Sequence, residues 1–367
     1  MEALAQPATY SGEYERKARA PHNMSNKNIS QLVRPNLLTL KAYSSARSEF
    51  KGVAEVLLDA NESPWPTGRN RYPDPMSTDL RNALGRFKNF TPDQIVFGNG
   101  SDELVDQITR IFCNEGDAVH ALPPTFGMYK VAAGIAGAEF RATTLAPDFT
   151  IPVEELKASW DDRSKILWLC SPNNPSGNAM EAEVLEDLIR TFPGIVVLDE
   201  AYIDFVPELS FLPRLSEFPN LIITQTLSKG WGMAGIRLGA AFASPFIIKM
   251  LNTIKMPYNI NVLTTGIALE ALAKPEEMQA KVATLISERK RLETELPKLA
   301  CVDYIFPSVT NFLLIRFQDS DAVYQYLLGK GIVVRNQSYQ PNAENCLRIT
   351  AGLKEENNRL LAALSDF

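Results

Sequence analysis

The sequence is poor in the residues on which many catalytic chemistries rest. Among its 367 residues there are two histidines, His22 and His120. A Ser-His-Asp relay or a multi-histidine metal centre needs imidazoles placed in a formed site. His22 falls in a polar N-terminal stretch, and His120 sits inside the apolar run Ala118 to Leu122, where a hydrogen-bonded core histidine is expected. General-base work must fall to another residue type, and no metal is expected. Cysteine is almost as scarce. Cys113, Cys170, Cys301 and Cys346 are scattered without a CxxC pair, so neither a disulfide framework nor a thiolate zinc site is expected, and a reducing cytoplasm fits. No apolar run approaches the length of a bilayer-spanning helix, and the first residues lack the continuous apolar stretch of a signal peptide. Neither a membrane nor export is expected. A surplus of one charge is also missing. The net charge is -6 with Lys, Arg, Asp and Glu interspersed, which leaves no basic stripe for nucleic acid. Small molecules are the expected partners.

What is present is the composition of a soluble globular chain, 45% hydrophobic and 22% charged, long enough for one large domain and a smaller one. Residues 1-23 are polar and irregular and are expected to be a disordered tail. Residues 24-55 are too short to fold alone and are expected to pack on the small domain or on a partner subunit. Over residues 56-260, short β-rich runs alternate with helices, the pattern of an α/β layer with a mostly parallel mixed sheet flanked by helices. Strands are expected at Ala118 to Leu122, Ile166 to Cys170, Ile195 to Leu198, Leu221 to Gln225 and Leu238 to Ala243, and helices at Leu104 to Cys113 and Val184 to Phe192. Over residues 261-367 the texture changes to α+β. A long charged helix from Pro275 to about Leu299 precedes strands Asn311 to Phe317, Ile332 to Arg335 and Leu347 to Thr350.

Chemistry concentrates where strands end. Lys229 lies in Thr226-Leu227-Ser228-Lys229-Gly230, just after a predicted strand, at the edge where open α/β sheets bind ligands. A lone lysine in a turn is ordinarily a solvated surface residue, but this one has company. Asp199 follows the apolar strand Ile195 to Leu198. A carboxylate emerging from a buried strand needs a partner, and a pyridinium N-H supplies one while keeping such a ring protonated as an electron sink. Tyr202 follows closely and is placed to donate to a phenolic oxygen. Asn174 falls in the turn-rich Ser171-Pro172-Asn173-Asn174-Pro175-Ser176-Gly177, after a third strand. Gly98-Asn99-Gly100-Ser101-Asp102-Glu103 opens a helix, and Arg237 comes eight residues after Lys229. Glycines and a helix N-terminus suit a phosphate. Thr226 and Ser228 add hydroxyls, although capping by Ser101 or Asp102 explains the glycine-rich turn nearly as well.

These segments, with Tyr43-Ser44-Ser45-Ala46-Arg47, Asp59-Ala60-Asn61-Glu62-Ser63-Pro64, Arg71-Tyr72-Pro73 and Pro123-Pro124-Thr125-Phe126-Gly127-Met128-Tyr129, resemble the fold-type I pyridoxal-phosphate (PLP) aminotransferases, and among them the histidinol-phosphate aminotransferases. The resemblance runs from Tyr43 to Thr350. It implies PLP held by Lys229 as a Schiff base, with Lys229, Asp199 and Tyr202 as the catalytic set. It implies Phe126 stacked on the pyridine ring and Tyr72 crossing a homodimer interface to the phosphate of the neighbouring cofactor. Core packing for Phe126 and a surface turn for Tyr72 remain open. It implies Arg348 as the anchor for the substrate's carboxylate or phosphate, with Arg335, Tyr43 and Asn61 as further substrate contacts, a solvated Arg335 being the alternative. The implied reaction joins histidinol phosphate and 2-oxoglutarate to imidazole-acetol phosphate and glutamate. Two positions depart from the family pattern: position 126 is often tyrosine, and Asp59 stands where asparagine is common. An aromatic amino-acid aminotransferase or a decarboxylase of a phosphorylated amino acid would share the cofactor set. A dinucleotide-binding oxidoreductase would share the alternation, but Glu103 stands where its third glycine belongs. A non-catalytic protein on the same fold would ordinarily have lost one of these groups.

Overall fold

A computed structural model describes residues 28-44, 46-50, 52 and 54-367. The expectations for residues 1-23 and for His22 lie outside the described residues.

A seven-stranded sheet forms the larger layer: β1 (Ile95–Asn99), β2 (Ala118–Ala121), β3 (Glu139–Ala142), β4 (Ser164–Cys170), β5 (Ile195–Asp199), β6 (Leu221–Thr226) and β7 (Leu238–Phe242). Their order is β1-β7-β6-β5-β4-β2-β3. The run from β3 to β6 is parallel, and β7 is antiparallel to both β6 and β1. Successive strand residues point to opposite faces, and here each face has its own core. Leu167, Leu169, Val196, Leu198, Leu221 and Ile223 pack on one side. Ile166, Trp168, Ile195, Val197 and Ile222 pack on the other, against helices Ser101–Phe112 and Pro245–Ile254. Burial on both faces explains why β5 and β6 read as unbroken apolar runs rather than alternating ones. His120 belongs to this interior. Its Nε2 lies 2.9 Å from the Ser164 hydroxyl, and burial lowers its pKa to about 4, which keeps the imidazole neutral.

A second, antiparallel sheet has the order β10-β11-β9-β8, from β8 (Val302–Ile305), β9 (Phe312–Phe317), β10 (Arg335–Asn336) and β11 (Cys346–Thr350). Helices Ser320–Gly329 and Lys354–Ser365 cover it through Val323, Leu327, Leu360 and Leu364. The long helix Pro275–Glu295 bridges the layers. Met278 and Val282 enter the core beneath the large sheet, and Leu292 enters that of the small one. Its buried Arg289 reaches the carbonyls of Ser308 and Thr310.

Four differences from the sequence reading have physical causes. Of residues 24-55, expected on the small domain or a partner, Ile29, Leu32, Val33 and Leu37 pack instead into the core of the large layer, and the Arg34 N-H donates to the Ile111 carbonyl at 3.0 Å. The helix expected from Leu104 starts at Ser101, because Gly100 takes a positive φ of 78° and turns the chain directly into it. The strand expected over Ile332 to Arg335 is confined to Arg335–Asn336, the residues that pair with β11. The strands β1, β3 and β8, which the sequence reading lacked, all lie at sheet edges. Among the described residues no helix is long and apolar enough to cross a membrane.

Candidate active site

The ends of β4, β5 and β6, the start of β7 and the N-terminus of helix Ser101–Phe112 surround a cavity of about 620 Å³. All the candidate cofactor and substrate residues line it except Tyr43, Asn61 and Tyr72.

Asp199 closes β5, in register with Cys170 on β4 and Thr224 on β6. It is 4% exposed. Its Oδ2 accepts the Tyr129 hydroxyl at 2.6 Å and its Oδ1 accepts the Ala201 N-H at 3.1 Å. Both donors are neutral, and burial pushes the carboxyl pKa up. A cation in the cavity would oppose that shift and favour the carboxylate. Tyr129 had no role in the sequence reading. It is fully buried and stacked on Trp168 at 4.5 Å. A buried Asp needs donors, but nothing in the local sequence says which tyrosine supplies one.

Lys229 follows β6 in the loop to β7. Its amine lies 5.6 Å from the centre of the Tyr202 ring. Burial is the first cause lowering its pKa, and the Arg348 guanidinium adds to it. The loop that presents Asn174 is held by its neighbour, whose side-chain amide, that of Asn173, donates to the Pro124 carbonyl at 3.0 Å and to the Ser176 hydroxyl at 2.7 Å. That leaves Asn174 for the cavity, where its Oδ1 accepts from the Arg348 guanidinium. Phe126 both lines the cavity and packs edge-on to Tyr129 at 5.6 Å, so its core contact and its place in the site coexist.

The opposite end of the cavity is a cradle. Helix Ser101–Phe112 is capped by Gly100 without any side-chain cap bond, so neither Ser101 nor Asp102 plays the capping part. Asp102 pairs instead with Arg237 at 3.0 Å. The Gly100 N-H donates to the Arg237 carbonyl at 2.8 Å, and Arg237 itself takes a left-handed φ of 54°. A Cβ on Gly100 would lie 2.5 Å from an Arg237 nitrogen, and one on Gly239 would lie 2.5 Å from the Ser101 backbone nitrogen. Thr226 and Ser228 face each other, hydroxyl to hydroxyl at 3.0 Å. Free helix N-H groups, two hydroxyls and a guanidinium suit a phosphate.

Two arginines mark the mouth. Arg335 on β10 and Arg348 on β11 are cross-strand partners. Gln337, Tyr339 and Gln340 also line the cavity. They lie in an irregular loop after β10, where sequence offers no period to flag them. Tyr43 is 69% exposed and Asn61 sits at a left-handed φ of 54°. Neither reaches the cavity, because their segment is tied down elsewhere by ion pairs of Arg47 with Asp59 and Glu62. Tyr72 is 52% exposed and stacks on Tyr258 at 4.5 Å. The whole arrangement fits a phosphorylated aromatic cation carrying an aldehyde: a cradle, a buried carboxylate and an amine line one cavity.

Comparison with known proteins agrees. The model of the aminotransferase class I and II family matches residues 42–364. The histidinol-phosphate aminotransferase of Bacteroides thetaiotaomicron is 48% identical over 343 residues, covering 93% of this chain and 99% of that one. That of Christiangramia forsetii is 48% identical over 346 residues, covering 94% and 99%. The crystal structure of the Sinorhizobium meliloti histidinol-phosphate aminotransferase in complex with pyridoxal-5'-phosphate superimposes with a TM-score of 0.76 at 26% identity, covering 84% of this chain and 89% of that one. The dinucleotide-binding alternative is thereby set aside, and the chain belongs to the class I and II aminotransferases and, within them, to the histidinol-phosphate aminotransferases.

Proposed function

We propose that this chain catalyses PLP-dependent transamination between histidinol phosphate and 2-oxoglutarate, giving imidazole-acetol phosphate and glutamate in histidine biosynthesis. The observation that carries the reading is the convergence of Lys229, Asp199 and the Gly100-Arg237 cradle on one cavity whose mouth holds two paired arginines. Bound there, PLP supplies the electron sink that lets a Cα-H bond of the substrate break. The Lys229 amine would hold the cofactor covalently and, as a free amine, would take the proton from the substrate Cα. Burial and the Arg348 guanidinium lower its pKa, which favours the neutral amine that task needs. Asp199 keeps a proton on the ring nitrogen. Asn174 and Tyr202 hold the phenolic oxygen, and Phe126 covers the ring. Ser101, Asp102, Thr226, Ser228 and Arg237 secure the phosphate end, Asp102 by orienting Arg237.

Arg348 and Arg335 take the substrate's anion. Histidinol phosphate brings a phosphate and 2-oxoglutarate brings carboxylates, and a guanidinium fork binds either bidentately. Tyr43 and Asn61 join them only if their segment moves to the mouth. The reading includes a homodimer in which Tyr72 of the partner subunit reaches the cofactor phosphate. Its support is the exposed apolar side chains of Leu58, Trp65, Tyr72, Met76 and Met256, since such residues mark surfaces that other chains cover. A cytoplasmic setting is supported by the four unpaired cysteines.

Steady-state rates with 2-oxoglutarate as acceptor test the substrate. Histidinol phosphate is expected to exceed phenylalanine in kcat/KM, and to exceed histidinol, which offers the arginines no anion, by about 100-fold or more. Equal turnover of phenylalanine would remove the substrate assignment and leave the chemistry. The cradle has its own test. Gly239→Ala puts a methyl against the first helical N-H, and backbone cannot swing aside as a side chain can. PLP affinity is expected to fall about tenfold, measured by absorbance titration of the apo protein. An unchanged affinity would place the phosphate elsewhere.

A further inference from the structure

We infer that Glu62 is a positioning residue acting on the neighbouring subunit's site, by fixing the backbone that carries Tyr72. The inference rests on the reading above, in which Tyr72 crosses to a second copy's cofactor phosphate. Three separate segments of the sequence meet at this one carboxylate. Its Oε2 accepts Arg47 Nη2 at 2.7 Å and Arg71 Nη1 at 2.9 Å. Its Oε1 accepts Arg47 Nη1 at 3.2 Å and the backbone N-H of Tyr72 at 2.5 Å. Asp59 supports the same Arg47 at 2.8 Å, and Arg71 also donates to the Leu57 carbonyl at 3.3 Å.

A carboxylate has about four lone-pair sites, and Glu62 fills them with two guanidinium groups and one main-chain donor. Its side chain is 3% exposed. Charge-assisted bonds of this kind are among the stronger ones available, yet none of Arg47, Glu62 and Arg71 lines the cavity of its own chain. The functional group that this hub does hold is Tyr72. The left-handed turn at Asn61 precedes the carboxylate. On the other side of Tyr72 the chain is pinned again, since Lys255 Nζ donates to the Pro75 carbonyl at 2.6 Å. The ring of Tyr72 lies flat on Tyr258, with an interplanar angle of 18°. Tyr72 is thus fixed before, after and along its ring, as a residue must be if it is to present one hydroxyl at a fixed point on another molecule.

Heterodimers separate this role from general stabilisation. Two differently tagged chains are co-expressed, mixed dimers are isolated by tandem affinity, and PLP is titrated into the apo form by absorbance. Lys229→Ala on one chain silences covalent binding there, so the dissociation constant read belongs to the other chain's site. With Glu62→Gln placed on the Lys229→Ala chain and the other chain unaltered, binding is expected to weaken about tenfold. With Glu62→Gln on the chain that keeps Lys229, binding is expected to match wild type. A defect that follows the chain keeping Lys229, or is equal in both arrangements, overturns the inference. Tyr72→Phe in the same two arrangements tests the underlying reading. If its defect stays within its own chain, Tyr72 does not cross and both fall. If Tyr72→Phe acts across while Glu62→Gln does not, only the role of Glu62 falls. Arg71→Gln leaves Glu62 paired with Arg47 and serves where Glu62→Gln fails to assemble. A weakening of about threefold, again only across the interface, is expected, and its absence or a same-chain effect counts against the inference.

Discussion

Lys229→Ala is expected to lower kcat for transamination by about 10⁴-fold or more. General acid-base catalysis alone contributes roughly 10² to 10⁴, and the covalent hold on the cofactor is lost with the same substitution. Among the described residues no other lysine lines the cavity, so no second amine among them stands ready to substitute. Borohydride treatment followed by intact mass measurement gives the direct check: the wild-type chain gains the mass of reduced cofactor and the variant does not. Retention of that adduct by the variant, or a kcat within tenfold of wild type, would place the amine elsewhere. Thermal stability of the cofactor-free chain should move little or rise. A lysine whose folded pKa lies below its unfolded value disfavours the folded state at every pH below the folded pKa, and that penalty fades as pH rises to the unfolded pKa. Burial and Arg348 set that direction here. Removing the amine therefore removes a penalty near neutral pH.

Asp199→Asn is expected to be nearly as damaging, about 10³-fold in kcat, the scale on which a single preorganised electrostatic contact in a catalytic site acts. The amide preserves shape but cannot keep a proton on a ring nitrogen by its charge. Asp199→Glu should not rescue it. The carboxylate is set between the Tyr129 hydroxyl at 2.6 Å and the Ala201 N-H at 3.1 Å, and an extra methylene in a filled interior forces neighbours apart. Single-turnover rates with histidinol phosphate measure the loss. An Asn variant retaining more than a tenth of wild-type rate would show that the carboxylate is not the ring's partner.

Most of the large sheet was legible because its central strands are buried on both faces. β4, β5 and β6 read as bounded apolar runs, and the chemically loaded residues fall just beyond their ends, where α/β sheets gather ligands. Lys229, Asp199 and Asn174 were therefore recognisable together, though each alone was ordinary. Edge strands gave less. Glu139–Ala142 and Val302–Ile305 carry partly exposed residues, and that mixture leaves no clean period. The support of Asp199 by Tyr129 spans 70 positions in the chain. The meeting of Asn174 with Arg348 spans 174. Contacts of that range are set by how layers pack, which local spacing does not encode. Gln337, Tyr339 and Gln340 show the same limit, since a loop residue faces a cavity only because of where the loop is pinned.

The reversal of direction at β7 has a consequence for how this protein tolerates change. A parallel continuation would need a crossover of a dozen or more residues to return to the same edge. Here β6 ends at Thr226 and the antiparallel β7 begins at Leu238, so the one connection over residues 227-237 delivers both the amine of Lys229 and the guanidinium of Arg237. Residues may be exchanged along 230-236 wherever their side chains face solvent. Adding or deleting even one there would strain a connection whose two ends both enter the cavity.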